Sequence, residues 1–207
     1  MKRKTLLIIV LIFTFHFIAN GQSSSKRSNI GITFSSLSSS DVSYYEDVVG
    51  TGGYEGENFF SAGITYIHPL NNWLEIESGV EYSEFAVKVT PPFYPGMNNE
   101  STNTDVSLLN IPVTVRANFL KYFYANSGIL VDIEMSNSDN IDDNSGLAID
   151  NQSGIGGMIG VGAKYDFDFG ASIFVNPYFK MHSIIPKSQF DQRISESAIR
   201  FGITYQL

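Results

Sequence analysis

Two histidines remain once the first 21 residues are set aside, and they are the first candidates for acid–base chemistry. His182 is followed by Ser183, the two residue types from which a nucleophile and its general base are built. Neighbouring residues on a β-strand point to opposite faces, so these side chains would meet only across a local bend. His68 precedes Pro69 at a turn and is most simply an interface residue. The sequence therefore predicts a protein that is not an enzyme.

A second candidate is an acidic stretch whose carboxylates could collect calcium. It contains Asp139, Asp142, Asp143 and Asp150, but it lacks EF-hand spacing, and a solvated loop is the favoured interpretation. Gly154, Gly156, Gly160 and Gly162 line one face of a strand rather than preceding a helix, so they do not form a phosphate-binding loop. We expect these glycines to relieve crowding, and we expect no metal and no cofactor.

Charged residues also recur within alternating segments, always on the face opposite the apolar one. Because five are acidic and four are basic, they can pair inside a narrow barrel, where an unpaired charge would be costly. We expect two layers of ion pairs that plug the lumen. The layer towards the short turns contains Glu75, Glu77, Arg116 and Lys164, and the layer nearer the long loops contains Glu81, Asp132, Glu134, Lys180 and Arg200.

The elements that carry these charges are eight segments of period-two alternation, typical of half-buried strands. The segment from Leu109 to Phe119 shows the pattern, with apolar residues at every second position. In the third segment the apolar parity changes around Ser83 and Glu84, which we interpret as a β-bulge. The segments have roughly the nine to eleven residues that cross a bilayer when tilted.

Short and long connections alternate between the eight segments. Tight turns occupy residues 69–72, 120–122 and 166–170, whereas polar stretches occupy residues 38–58, 90–104, 136–152 and 183–193. All short turns then fall at one end and all long loops at the other. The sequence predicts an all-β fold, an eight-stranded antiparallel up-and-down transmembrane β-barrel with short periplasmic turns and long extracellular loops.

Alternation alone would also suit a soluble barrel with an apolar interior. The polar faces of the strands are rich in Ser, Thr, Asn and Gly. A soluble barrel would usually carry more charged residues on its exterior. Lipid outside and a polar filling inside therefore fit better. An eight-stranded interior is just wide enough for side chains to fill, so no open diffusion pore is expected.

The N-terminus has the pattern of a secretory signal peptide. Lys2, Arg3 and Lys4 precede an apolar run from Leu6 to Ile18, and small residues stand at Ala19 and Gly21. We expect residues 1–21 to be the signal peptide and residues 22–207 to form the barrel domain. The chain has no Cys and a net charge of -8, which argues against a disulfide scaffold and against nucleic acid as a partner.

Two segments carry a resemblance to known proteins. Residues Leu108 to Arg116 are similar to a Leu-x-Ile-Pro strand that leads into a tight turn, and residues Ile199 to Leu207 have the form of a C-terminal insertion strand. The chain ends on Leu207 where a terminal aromatic is usual, although Tyr205 lies on the same face. In these features it resembles the small outer-membrane β-barrel proteins of Bacteroidetes, the PorT-like family, and the eight-stranded OmpA and OmpX barrels.

The resemblance implies an outer-membrane location in a Gram-negative bacterium after signal-peptide cleavage. Two functions remain open at this point. The barrel either displays polar loops for envelope structure, adhesion or interaction with an envelope or secretion-system protein, or it transports or binds small solutes as a porin does. Outer-membrane lipid is the expected surrounding, and we expect a monomer.

Overall fold

Eight antiparallel strands make up almost all of the described chain. The computed structural model describes residues 27–44, 53–91, 101–136, 151–186 and 192–207. The expected signal peptide and the acidic stretch at Asp139 to Asp150 lie outside these residues. The strands are β1 Asn29–Tyr44, β2 Gly53–Pro69, β3 Leu74–Thr90, β4 Thr102–Phe119, β5 Phe123–Glu134, β6 Gly154–Asp166, β7 Ala171–Pro186 and β8 Gln192–Gln206.

The strands close into a barrel in sequence order. Each strand pairs with the next along the chain, and β1 pairs with β8 to complete the ring. The predicted up-and-down fold is confirmed. Short turns at residues 70–73, 120–122 and 167–170 lie at one end, here called the short-turn end, and the other four connections lie at the loop end. Among the described residues, no helix has the length and hydropathy to cross a bilayer.

Side-chain polarity is divided between the two faces of the barrel wall. In the half that contains the short turns, charged and polar side chains point inward, and Glu77, Arg116 and Arg200 are almost fully buried. Large apolar side chains point outward on every strand, as in Ile32 and Ile203, which are 64% and 57% exposed. The inside and outside faces are therefore those expected from the sequence.

Near the loop end the two faces exchange polarity. On β3, Phe85, Val87 and Val89 are buried inside the barrel, whereas Glu84 and Lys88 point outward. We call this part of the barrel the collar, which consists of residues 39–44, 53–59, 84–90, 102–108 and 192–195. Its strands continue several residues beyond the outward apolar band, so the loop-end connections are mostly shorter than the sequence indicated.

The prediction of a β-bulge at Ser83 and Glu84 is wrong. β3 pairs with β4 in one continuous register from Leu74↔Ala117 to Val89↔Thr102, so no extra residue interrupts β3 there. The irregularity lies on the neighbouring strand, where β2 shifts register between Gly56 and Phe59. On β3 the apolar residues move from the outer face to the inner face because the surroundings of the barrel wall change. The alternation of side chains along the strand continues without a break.

Candidate functional site

Five charged side chains meet inside the barrel towards the short-turn end, and we call them the lower cluster. Arg116 is central, with Nε 3.8 Å from Glu75 Oε2 and Nη1 3.5 Å from Glu77 Oε2. Arg200 Nη2 lies 2.9 Å from Glu77 Oε1, and Lys164 Nζ lies 3.1 Å from Glu75 Oε1. The two carboxylates lie on β3, whereas the cations come from the neighbouring β4 and from β6 and β8, so opposite charges meet across a narrow interior.

Two aromatic rings contact the Arg116 guanidinium. Its Cζ lies 3.8 Å from the ring centre of Tyr124 and 5.2 Å from that of Phe174, both within the range of a cation–π contact. Gly162 lies under the Tyr124 ring and Gly202 under the Phe174 ring, where an added Cβ would collide with ring atoms. These glycines leave the space that the two rings occupy.

A second group, the upper cluster, lies nearer the loop end and contains Glu81, Asp132, Lys180, His182 and Glu196. Lys180 Nζ contacts a carboxylate oxygen of Glu81 and lies 2.9 Å from Glu196 Oε1. His182 Nδ1 is 3.2 Å from Asp132 Oδ1, and Nε2 is 3.5 Å from Glu196 Oε2. Because a carboxylate faces each ring nitrogen, the arrangement suits a doubly protonated, positively charged imidazole.

The placement of two sequence-predicted residues differs from expectation. Arg200 belongs to the lower cluster, because its Nη2 donates to the Asn176 amide oxygen at 3.0 Å and lies 2.9 Å from Glu77 Oε1. Glu134 takes no part in either cluster. Its carboxylate instead accepts hydrogen bonds from the Gln152 backbone N–H and the Ser136 hydroxyl, both at 2.6 Å, at the top of β5.

Sequence reasoning missed two members of the upper cluster, Glu196 and His182. Glu196 was missed because β8 was expected to begin at Ile199, whereas it begins at Gln192. The signal was present, since Glu196 has the same parity as Arg200 and therefore shares its face. His182 was placed on the polar face but was not recognised as an ion-pair partner.

A local irregularity in β7 turns both His182 and Ser183 into the barrel. The β6–β7 register shifts between Gly157↔Met181 and Ile155↔Ile185, and Ser183 has a φ of 50°. This is the bend that a Ser/His pair would need. However, the Ser183 hydroxyl donates to the Ser153 carbonyl at 3.3 Å, and both nitrogens of His182 face carboxylates. The pair does not have the geometry of a nucleophile and its base.

Apolar side chains pack inside the barrel around and above the upper cluster. Phe59 and Phe85 pack with ring centres 5.0 Å apart. The ring centres of Phe85 and His182 lie 5.5 Å apart in an edge-to-face arrangement. Inward residues from the opposite wall complete this collar core. Its members are Val42, Phe59, Phe85, Val87, Val106, Leu108, Leu130, Met158, Tyr178, Ile194 and Ala198.

The lumen opens only slightly at the short-turn end. A cavity of about 150 Å³ lies at this mouth, between Arg27, Lys164 and Asp166. A second cavity, of about 10 Å³, lies beside Arg116. Within the described ranges, no group of three His, Asp or Glu side chains is arranged to hold a metal ion. Among the described residues, the buried charges of the two clusters lie within ion-pair distance of groups of opposite sign.

The comparisons with known proteins agree with this architecture. No protein-family model matches the sequence, and no curated protein matches it. Among solved structures, the outer membrane protein OprG from Pseudomonas aeruginosa is similar with a TM-score of 0.50 and 11% identity, over 88% of this chain and 96% of OprG. The translocator domain of autotransporter NalP from Neisseria meningitidis has a TM-score of 0.39 and 8% identity, over 100% of this chain and 97% of that domain.

The likeness to OprG shows the fold. This chain has the architecture of a small outer-membrane β-barrel protein, a closed barrel of eight strands.

Proposed function

We propose that this protein is a non-enzymatic, integral outer-membrane barrel that presents its loop end for envelope structure, adhesion or interaction with envelope or secretion machinery. One observation carries the proposal. The lumen is filled by two clusters of buried, paired charges, while the outer wall at the same height is apolar. A wall with these faces suits lipid outside, and a filled lumen leaves display as the role for the barrel.

The outward apolar band supports the membrane location. On β4 it spans residues 109–119, which matches the roughly nine to eleven residues of a tilted transmembrane strand. Val113, Val115 and Ile129 are each about half exposed within it. In water, a continuous band of this kind around the whole barrel would be far larger than the apolar patches that soluble monomers tolerate.

Aromatic side chains at the short-turn end support the same location. Tyr122 stacks on Tyr165 at 6.1 Å between ring centres, and Phe119 stacks on Phe123 at 6.3 Å. Amphipathic aromatic rings favour the level of the lipid headgroups. These side chains give the short-turn end the features of the interfacial girdle seen in outer-membrane barrels.

The finer parts of the proposal rest on sequence. Residues 1–21 would be removed as a signal peptide, and the mature chain would reside in the outer membrane of a Gram-negative bacterium. The Leu108 to Arg116 strand and the C-terminal strand support membership of the PorT-like family of Bacteroidetes. We propose a monomer without a cofactor, since the barrel closes on itself through β1 and β8.

Outer-membrane fractionation followed by electrophoresis of unboiled and boiled samples tests the location. A closed barrel resists detergent until heated, so we expect a heat-dependent change of mobility in the outer-membrane fraction. A soluble periplasmic band without a shift would contradict the proposal.

Planar-bilayer recording tests the alternative of porin-like transport. The pairing around Arg116 and the collar core predict no steady conductance steps. Conductance steps whose number rises with the concentration of reconstituted protein would favour solute passage and would overturn the closed-barrel proposal.

A further inference from the structure

We propose that the upper edge of β4 binds an extended, basic segment of a partner protein by strand addition. This inference rests on the proposed function in one respect, namely that the loop end faces water outside the cell. Strand addition uses the free backbone groups at a sheet edge for affinity and the flanking side chains for specificity.

The edge exists because β4 rises higher than its neighbour. β4 and β5 pair from Phe119↔Phe123 up to Leu108↔Glu134, and the last bond runs from the Met135 N–H to the Ser107 carbonyl. Above this point, residues 102–106 pair with β3, and no described strand pairs with their other side.

Backbone direction identifies the groups that an added strand would use. In an antiparallel strand, every second residue directs its N–H and C=O to the same side. Because the Ser107 carbonyl points towards β5, the backbone groups of Asn103 and Asp105 point the same way. The side chains of both residues are exposed.

The edge strand is held on one side by its pairing with β3, which lowers the cost of binding. Val106 and Leu108, on the alternate positions, are 3% and 0% exposed and pack into the collar core. The opposite side of the strand is held by β3 through Phe85↔Val106 and Val87↔Thr104. A partner strand would therefore meet a template that needs no further ordering.

Charge indicates the chemistry of the partner. The outward face of the collar on β1 to β4 exposes five carboxylates, whereas the one Lys on this face, Lys88, lies 3.9 Å from Glu55. The five carboxylates are Asp41, Glu55, Glu57, Glu84 and Asp105.

These charges favour one kind of binding partner for the sheet edge, a basic segment. Two copies of this edge would bring carboxylates together, because Asp105 and Glu84 flank the edge in both copies, and like charges on paired strands are destabilising. A segment with Lys or Arg at alternate positions would instead gain an attraction at the face where Asp105 lies.

A peptide-binding measurement on the full-length protein in detergent or nanodiscs tests the proposal. The probe is a fluorescent ten-residue peptide of alternating Lys and Thr, and the matched control peptide alternates Glu and Thr. Fluorescence anisotropy gives the affinity, and hydrogen exchange reports the amides of Asn103 and Asp105.

Two variants separate strand addition from attraction to an acidic surface. Asn103→Pro removes one edge N–H without changing the charge and leaves the β3 side of the ladder intact, whereas Asn103→Ala is its matched control. Each variant is first checked for the heat-dependent mobility of a folded barrel. This check also separates failure of the barrel proposal from failure of the edge proposal.

We expect the Lys peptide to bind and to protect the Asn103 and Asp105 amides, and the Glu peptide not to bind. Asn103→Pro should weaken Lys-peptide binding at least tenfold, and Asn103→Ala should leave it nearly unchanged. Equal binding by both variants would reduce the effect to surface charge and would overturn strand addition. Absence of binding, or protection of these amides in the free protein, which would mean that the chain covers its own edge, would overturn it as well.

Discussion

The band that carries the outward apolar residues and the collar above it are built from the same strands with opposite polarity. On β3 the band places Glu77 and Glu81 inside and Val80 outside, whereas the collar places Phe85 inside and Glu84 outside. The register of β3 against β4 is continuous through both regions. Surroundings therefore decide which face is apolar, and the pleat alone does not.

The two regions are also stabilised by different interactions. In the band, each buried charge of the lower and upper clusters depends on a partner of opposite sign. In the collar, the interior is an apolar core like that of a soluble barrel. Removing one side chain should thus leave an unpaired charge in the band and an empty cavity in the collar.

The largest effect is expected at Arg116, where the band interior depends on one guanidinium. Arg116→Leu leaves Glu75 and Glu77 short of positive charge in a buried site, which typically costs about 3–5 kcal/mol of unfolding free energy. Urea titration of the protein in detergent measures this loss. Lys121→Leu, on an exposed turn, is the control and should change the midpoint little. An unchanged midpoint for Arg116→Leu would refute the pairing scheme.

The collar offers a neighbouring pair of leucines for comparison. Leu108 is fully buried in the collar core, whereas Leu109 is outward on the lipid-facing side. Leu108→Ala should cost about 2–5 kcal/mol, because the surrounding core cannot fully collapse into the cavity. Leu109→Ala should cost less, because lipid can fill the space. Equal losses in the same urea titration would mean that the collar interior is not a packed core.

The sequence predicted the barrel, its strand order and most of the inward charges, because period-two alternation and charge sign are local signals. It could not show how high each strand rises. For that reason the residues of the collar were predicted to lie in loops and at a β-bulge, and Glu196 was not predicted to be an inward charge. The pairing of Arg200 with Glu77 rather than with the upper cluster depends on strand tilt and stagger, which no single segment encodes.

A lysine can be placed at two outward positions of β4, one in the band and one in the collar. Val113 lies in the middle of the apolar band, and Asp105 lies in the collar. Val113→Lys should lower the unfolding free energy by about 2–4 kcal/mol, the typical cost of Lys on the lipid face near the bilayer midplane. Asp105→Lys should change it by less than about 0.5 kcal/mol, because an exposed collar residue remains in water. Similar costs at the two positions, measured by urea titration in lipid vesicles, would place the whole strand in one medium and would remove the distinction between band and collar.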